Sequence, residues 1–192
     1  MSKYQIFEIE NYAINAVKED RLALSITQKE LARTINDNEE SNFVGVAESN
    51  KNTTTYNVRH LQQFASLFNH IASQKTDEEL FMLGARRNYH FTDYLPDKAL
   101  NDILVEKNIV FIPNRLKASG ALILLSEAKD KFIENWHTVR EFCDYANSCY
   151  MQSWETSHFS SALEYAVKQG KFEKQETAVL FRKATLESLN LK

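Results

Sequence analysis

Apolar residues along this chain recur mostly three and four positions apart, the spacing that lines one face of a helix. Over residues 7–23, Ile9, Tyr12, Ala13 and Val17 share a face and predict a first helix, with Lys18 and Arg21 on or near its polar side. Those two cations read equally well as solvated charge and as phosphate contacts. Thr27 and Glu30 form a capping box that opens a second helix, whose apolar face is Leu31, Ala32 and Ile35. The polar run Asn36 to Glu40 interrupts it. Phe43, Val44, Val46 and Ala47 predict a third, short helix ended by Asn50, Lys51 and Asn52. Val58, Leu61, Phe64, Ala65 and Phe68 predict a longer fourth. Within residues 70–87, Thr76 and Glu79 cap a fifth, in which Leu80, Phe81 and Leu83 bury an apolar edge.

Beyond Pro96 the pattern changes. A helix is expected over Asp97 to Glu106, and the β-branched run Ile109 to Ile112, ending at Pro113, reads as a strand. Ala121, Leu122, Leu124, Leu125, Ala128, Phe132 and Ile133 then predict one strongly apolar helix. Thr138 and Glu141 form another capping box before Val139, Phe142, Cys143 and Ala146. A third helix starts near Thr156 with Phe159, Leu163, Ala166 and Val167 inward, and Gly170 stops it. Lys171 to Lys183 holds two short alternating segments around a polar turn, a β-hairpin.

Residues 27–69 place two short helices beside a long apolar stripe, the arrangement of a helix-turn-helix. The order Thr-Gln-Lys-Glu-Leu-Ala, Phe-Val-Gly-Val-Ala-Glu-Ser and Tyr-Asn-Val-Arg-His-Leu-Gln-Gln-Phe-Ala resembles the phage-repressor-like (Cro and xenobiotic-response-element) helix-turn-helix family. The resemblance covers Asn11 to Phe68, with an echo at Phe91 to Pro96. The turn from Ile35 to Glu40 departs from it, being acidic and about two residues longer. The order of three helices and a hairpin after residue 114 is similar, less specifically, to a winged helix. Together these imply a mainly α chain. A five-helix repressor-like helix-turn-helix domain spans 1–96, a connecting helix and strand 97–113, and a winged-helix-like domain with a small β-hairpin 114–192.

Composition narrows the functional classes. Residues 1–112 carry 12 Lys and Arg against 16 Asp and Glu, and residues 113–192 carry 11 against 10, so a DNA footprint must come from local clustering. No apolar run approaches the roughly 20 residues that span a bilayer. The first twenty residues hold no apolar signal core, which predicts a cytoplasmic protein. Cys143 and Cys149 have no second Cys or His pair at metal spacing and are expected as reduced thiols. The five histidines are scattered, no glycine-rich phosphate loop or nucleophile elbow occurs, and no enzyme, cofactor or small-molecule effector is expected.

The family resemblance implies that the start of the third helix reads bases. Those positions are Ser41, Asn42 and Gly45, Asn42 being suited to adenine; Ser41 or Asn42 serves equally well as a helix cap. Gln28 would face a phosphate, with Asn50, Lys51 and Asn57 meeting the backbone. In the second domain the outward positions Ser157, His158, Ser161 and Lys168 form a groove-facing surface, with Lys171 and Lys174 on the wing; an ordinary solvated face is the rival reading. Trp136 and Trp154 read as packing aromatics. The expectation is a non-enzymatic, bacterial-type transcriptional regulator that binds double-stranded DNA, a homodimer being implied by the resemblance. The alternative is a protein-interaction adaptor that keeps the scaffold without reading DNA, which suits the acidic turn and the net charge of −3.

Overall fold

The computed structural model describes residues 4–35, 42–96, 103–113, 115–175 and 179–184. The chain divides into two compact units, Met1–Leu116 and Lys117–Lys192. Among the described residues there are eight α-helices, two 3-10 turns and two small sheets.

Unit 1 begins with a strand, β1 (Gln5–Phe7), and a 16-residue helix, α1 (Glu8–Ala23). The Glu10 carboxylate accepts from the Phe7 N–H at 3.0 Å, satisfying a donor that the first helical turn leaves without a partner. The buried face of α1 is Ala13, Ile14, Val17, Lys18, Arg21 and Leu22. Ile9 and Tyr12, expected inside, are 40% and 42% exposed. The face is rotated because specific partners draw Lys18 and Arg21 inward, so neither cation is the surface charge or phosphate contact expected of it.

Helix α2 (Gln28–Arg33) starts at the expected capping box: Thr27 Oγ1 accepts from Glu30 N at 3.2 Å, and Glu30 Oε2 accepts from Thr27 N at 2.6 Å. Helix α3 (Phe43–Ala47) buries Val44 and Ala47 but leaves Val46 exposed. Helix α4 (Val58–Ser73) turns Leu61, Phe64, Ala65, Phe68 and Ala72 into the core, with Val58 outside. Helix α5 (Asp77–Leu83) has its Thr76–Glu79 box and ends at Gly84, whose φ of 69° favours a residue without Cβ. Its buried edge is Leu80 and Leu83, while Phe81 is 81% exposed. The 3-10 turn at Phe91–Tyr94 packs on α1 and α4 and buries Tyr94 completely.

The adjacent Arg86 and Arg87 staple this closure. Arg86 bonds Asp93 and Asp20 and lies 4.7 Å over the Tyr89 ring; Arg87 holds Asp77 and the carbonyls of Ala72 and Lys75. The helix expected over 97–106 is absent at its described end, where β2 (Leu104–Glu106) pairs antiparallel with β1; residues 97–102 lie outside the described residues. The run Ile109–Ile112 is not a strand either. The main chain of Ile109 and Val110 is bonded by side chains, and the described part of the segment read as a connector is tied into unit 1.

Unit 2 begins with α6 (Ala118–Glu127), in which all eight residues from Ala118 to Leu125 are buried. It is shorter than expected. Ala128 is exposed, Lys129 turns the chain at φ 52°, and Ile133 reaches the core from a separate 3-10 turn, Lys131–Glu134. Strand β3 (His137–Thr138) leads into α7 (Val139–Tyr150), capped by Thr138 and Glu141 as expected and burying Phe142, Cys143 and Ala146. Helix α8 (Thr156–Lys168) buries Phe159, Ala162, Leu163 and Ala166, and Gly170 follows it at φ 68°. The hairpin is β4 (Phe172–Gln175) and β5 (Leu180–Lys183). β3, which the pattern did not reveal, joins β5, giving the order β3-β5-β4.

Candidate nucleic-acid interface

The side chains of interest in unit 1 stand on a buried ion pair. Arg21 on α1 is 0% exposed, and its guanidinium grips Glu48, just past α3, through two bonds. Nε donates to Oε1 at 2.9 Å and Nη2 to Oε2 at 2.7 Å, while Nη1 donates to the Ile26 carbonyl at 2.7 Å. This fork-on-fork geometry is what makes a fully buried charge tolerable. Gln28, the first residue of α2, joins it: Nε2 donates to Glu48 Oε2 at 2.9 Å. One carboxylate therefore ties together α1, α2 and the end of α3. Tyr56 lies close by, and burial first, then the Glu48 charge, push its phenol well above the usual range.

On the outer side of this pair, three of the expected site residues come together. The Cβ that Gly45 lacks would overlap Asn42 Oδ1 and lie 3.0 Å from Gln28 Oε1. The two side-chain amides thus converge over bare backbone at α3. Asn42 occupies the N-cap position but makes no side-chain capping bond, so its amide is exposed rather than spent on the helix. Ser41 lies outside the described residues. Gln28, expected at a phosphate, spends its amide N–H on Glu48 and presents its oxygen toward Asn42.

The remaining unit 1 positions divide. Lys51 is exposed beyond α3. Asn57 is a cap: Oδ1 accepts from His60 N at 2.9 Å. Asn50 is structural as well, donating to Ile109 O at 3.2 Å and accepting from Ile109 N at 2.6 Å. Asn50 thus spends its amide on Ile109, whereas the cap takes up only the side-chain oxygen of Asn57. The sequence reading missed three exposed cations, Lys29 and Arg33 on α2 and Arg59 on α4. Their helical offset from buried Leu31, Ala32 and Leu61 is the signal that marks them as outward. His60 sits at the seam of α3 and α4, its ring edge-on to Phe43 at 4.9 Å; burial, then the Arg59 charge, hold it below its ordinary value.

In unit 2, Ser157, His158, Ser161 and Lys168 are exposed along α8. Local bonds occupy the first three. Ser157 Oγ donates to Glu155 Oε2 at 3.3 Å, His158 Nδ1 accepts from Glu155 N at 3.3 Å, and Ser161 Oγ donates to Ser157 O at 3.4 Å. Lys171 is half-buried. Lys174 pairs with Glu164 of α8 and lies 5.7 Å over the Phe181 ring, so the wing cation chosen for phosphate already has a carboxylate. Arg182 is likewise paired with Glu173 at 2.8 Å and stacked on Trp136 at 4.5 Å. Trp154 packs against Phe159 and Tyr150. Both cysteines are free thiols, Cys143 buried and Cys149 exposed.

Among the described residues, no three His, Cys, Asp or Glu side chains are placed to hold a metal ion, and no helix is long and apolar enough to cross a membrane. No family model, curated protein or solved structure matches this chain.

Proposed function

We propose that the chain is a sequence-specific, non-enzymatic DNA-binding regulator, and that unit 1 does the reading. The supporting observation is the convergence of Asn42, Gln28 and bare Gly45 on the outer side of α2 and α3, above the buried Arg21–Glu48 pair. In this reading α2 and α3 are the two helices of a helix-turn-helix, and α3 enters the major groove. An exposed amide on a rigid mount is suited to the paired donor and acceptor of adenine's groove edge. Lys29, Arg33, Lys51 and Arg59 supply local positive charge to a unit that is acidic overall, so affinity is modest and salt-dependent.

In the same reading unit 2 is a winged helix, which the order α6, β3, α7, α8 and hairpin and the sheet β3-β5-β4 support. The Lys174–Glu164 and Arg182–Glu173 pairs favour a different role for it, that of an adaptor surface for protein. Neutralised cations release no counterions from DNA. A homodimer on a two-fold symmetric site belongs to the same reading.

The test is selection of bound fragments from sheared genomic DNA by the full chain, followed by affinity against salt. Enrichment of a short symmetric site with a negative log–log salt slope is the expected result. A folded chain that enriches nothing at low salt would overturn DNA reading and leave the adaptor role.

A further inference from the structure

Main-chain polar groups in an irregular segment need partners as much as those in a helix do. Residues 108–110 follow β2 with no strand to pair with, yet all six of their main-chain N–H and C=O groups are bonded, each by a side chain. Asn108 donates to Asn11 Oδ1 at 2.8 Å and accepts from Asn15 Nδ2 at 3.0 Å. Asn50 brackets Ile109, accepting from its N–H at 2.6 Å and donating to its carbonyl at 3.2 Å. Val110 donates to Asn15 Oδ1 at 2.8 Å and accepts from Lys18 Nζ at 2.7 Å. The Ile109 side chain is the plug, 4% exposed.

The donors and acceptors come from two places. Asn11, Asn15 and Lys18 stand at intervals of four and three, a single stripe on α1. Asn50 belongs to the loop after α3. That loop is held a second time, by Lys107, whose Nζ donates to Thr54 O at 2.8 Å and Asn52 Oδ1 at 3.3 Å. Asn52 in turn donates to Val46 O of α3 at 2.7 Å, and its Oδ1 accepts from Thr54 N at 2.8 Å. Lys107 itself is anchored by its N–H to Tyr4 O at 2.8 Å, in line with the β1–β2 pairing. Residues 103–110 are therefore a strap that joins α1 to the loop carrying Lys51 and, through Asn52, to α3.

We propose that docking of this strap positions loop 50–54 and α3 for DNA, so that release of the strap lowers DNA affinity. The proposal rests on the DNA reading given for unit 1. The strap is suited to such a role because its last part, residues 108–110, is held by side-chain bonds and one apolar plug rather than by strand pairing. Segments with few buried apolar contacts open at lower free energy than the global fold. Side-chain amides reading main chain also make the docking depend on an extended backbone rather than on most of the strap's side chains.

Amide hydrogen exchange and DNA affinity on the full chain test this. Asn15→Ala removes two of the six bonds and touches neither the loop nor the exposed face of α2 and α3. Exchange at residues 108–110 should accelerate about tenfold or more, the Thr54 amide should accelerate with it, and affinity for the selected site should fall several-fold. Val110→Pro removes one donor from the strap itself and leaves every α1 and loop side chain in place; if Asn15→Ala fails to fold, it should repeat the pattern at the Asn108, Ile109 and Thr54 amides. Fast exchange in the strap with Thr54 unchanged overturns the coupling, as does unchanged exchange at both. Exchange is measured without DNA. A parent chain that binds no DNA therefore overturns the reading of unit 1 and the affinity half of this proposal, while the exchange data still decide the coupling.

Discussion

Replacing Glu48 by Gln should cost unit 1 about 3–5 kcal/mol, the usual penalty for stripping one partner from a buried ion pair. The side chains of Arg21 and Glu48 are 0% and 1% exposed, so water cannot take the place of the lost carboxylate. The guanidinium keeps the Ile26 carbonyl and one amide oxygen, but it loses its counter-charge and its second acceptor, which becomes an NH2 group facing another donor. Gln28 Nε2 loses its charged acceptor as well. At about 0.05–0.15 kcal/mol per residue, a unit of this size has roughly 6–17 kcal/mol of stability. The loss is therefore a large fraction of the total, equivalent to a fall in Tm of at least roughly 10 °C.

The assay is urea unfolding followed by far-UV circular dichroism, with tryptophan fluorescence in parallel. The chain's two tryptophans, Trp136 and Trp154, both lie in unit 2. Fluorescence should keep its midpoint while the helical signal of unit 1 moves to lower urea. The double variant Arg21→Met with Glu48→Leu should recover most of the loss, because it removes the charge rather than orphaning it. A single variant within about 1 kcal/mol of the parent, or a double variant no more stable than the single, would refute the argument that the uncompensated buried charge is what costs.

Three further outcomes follow from the same geometry. Because burial and Arg59 hold His60 below its ordinary 6.5, its neutral form is favoured in the fold. Its contribution to stability is present above pH 6.5 and lost as pH falls through the lower folded value; the unit 1 midpoint should drop on acidification and His60→Phe should flatten that drop, so parallel curves would count against it. Lys51→Ala should flatten the salt slope of DNA binding by about one unit, whereas Lys174→Ala should leave it unchanged because its amine is already paired with Glu164. Equal slopes for the two variants would contradict that assignment. Gly45→Ala should leave thermal stability level or raised by about 0.5–1 kcal/mol, since alanine suits a helix better. It should weaken specific DNA binding, because Asn42 Oδ1 must swing away from the new methyl while Gln28, held by Glu48, gives only slightly. A variant that melts early, or one that binds like the parent, would separate fold from site in the wrong direction.

Features that depend on residues a few positions apart are legible in the pattern of the chain alone. The boxes at Thr27–Glu30, Thr76–Glu79 and Thr138–Glu141 formed where the pattern put them, because cap and partner are joined by one turn of chain. The stripe from Leu61 to Phe68, the stop at Gly170 and the hairpin after it are equally local. Tertiary structure decided everything whose partner is distant in the chain. Arg21 reads as a surface cation until Glu48, twenty-seven residues away, is brought beneath α2 and α3. Lys18 becomes a buried donor only because Val110 crosses it, and Ile109–Ile112 reads as a strand because nothing local says that asparagines will bond its main chain. Of the candidate site, the convergence of Gln28, Asn42 and Gly45 needed two helices packed together, and the pairing of Lys174 needed the hairpin folded against α8. Periodicity marks which face of an element is apolar, but a charged or amide side chain takes its role from the partner that the fold delivers to it.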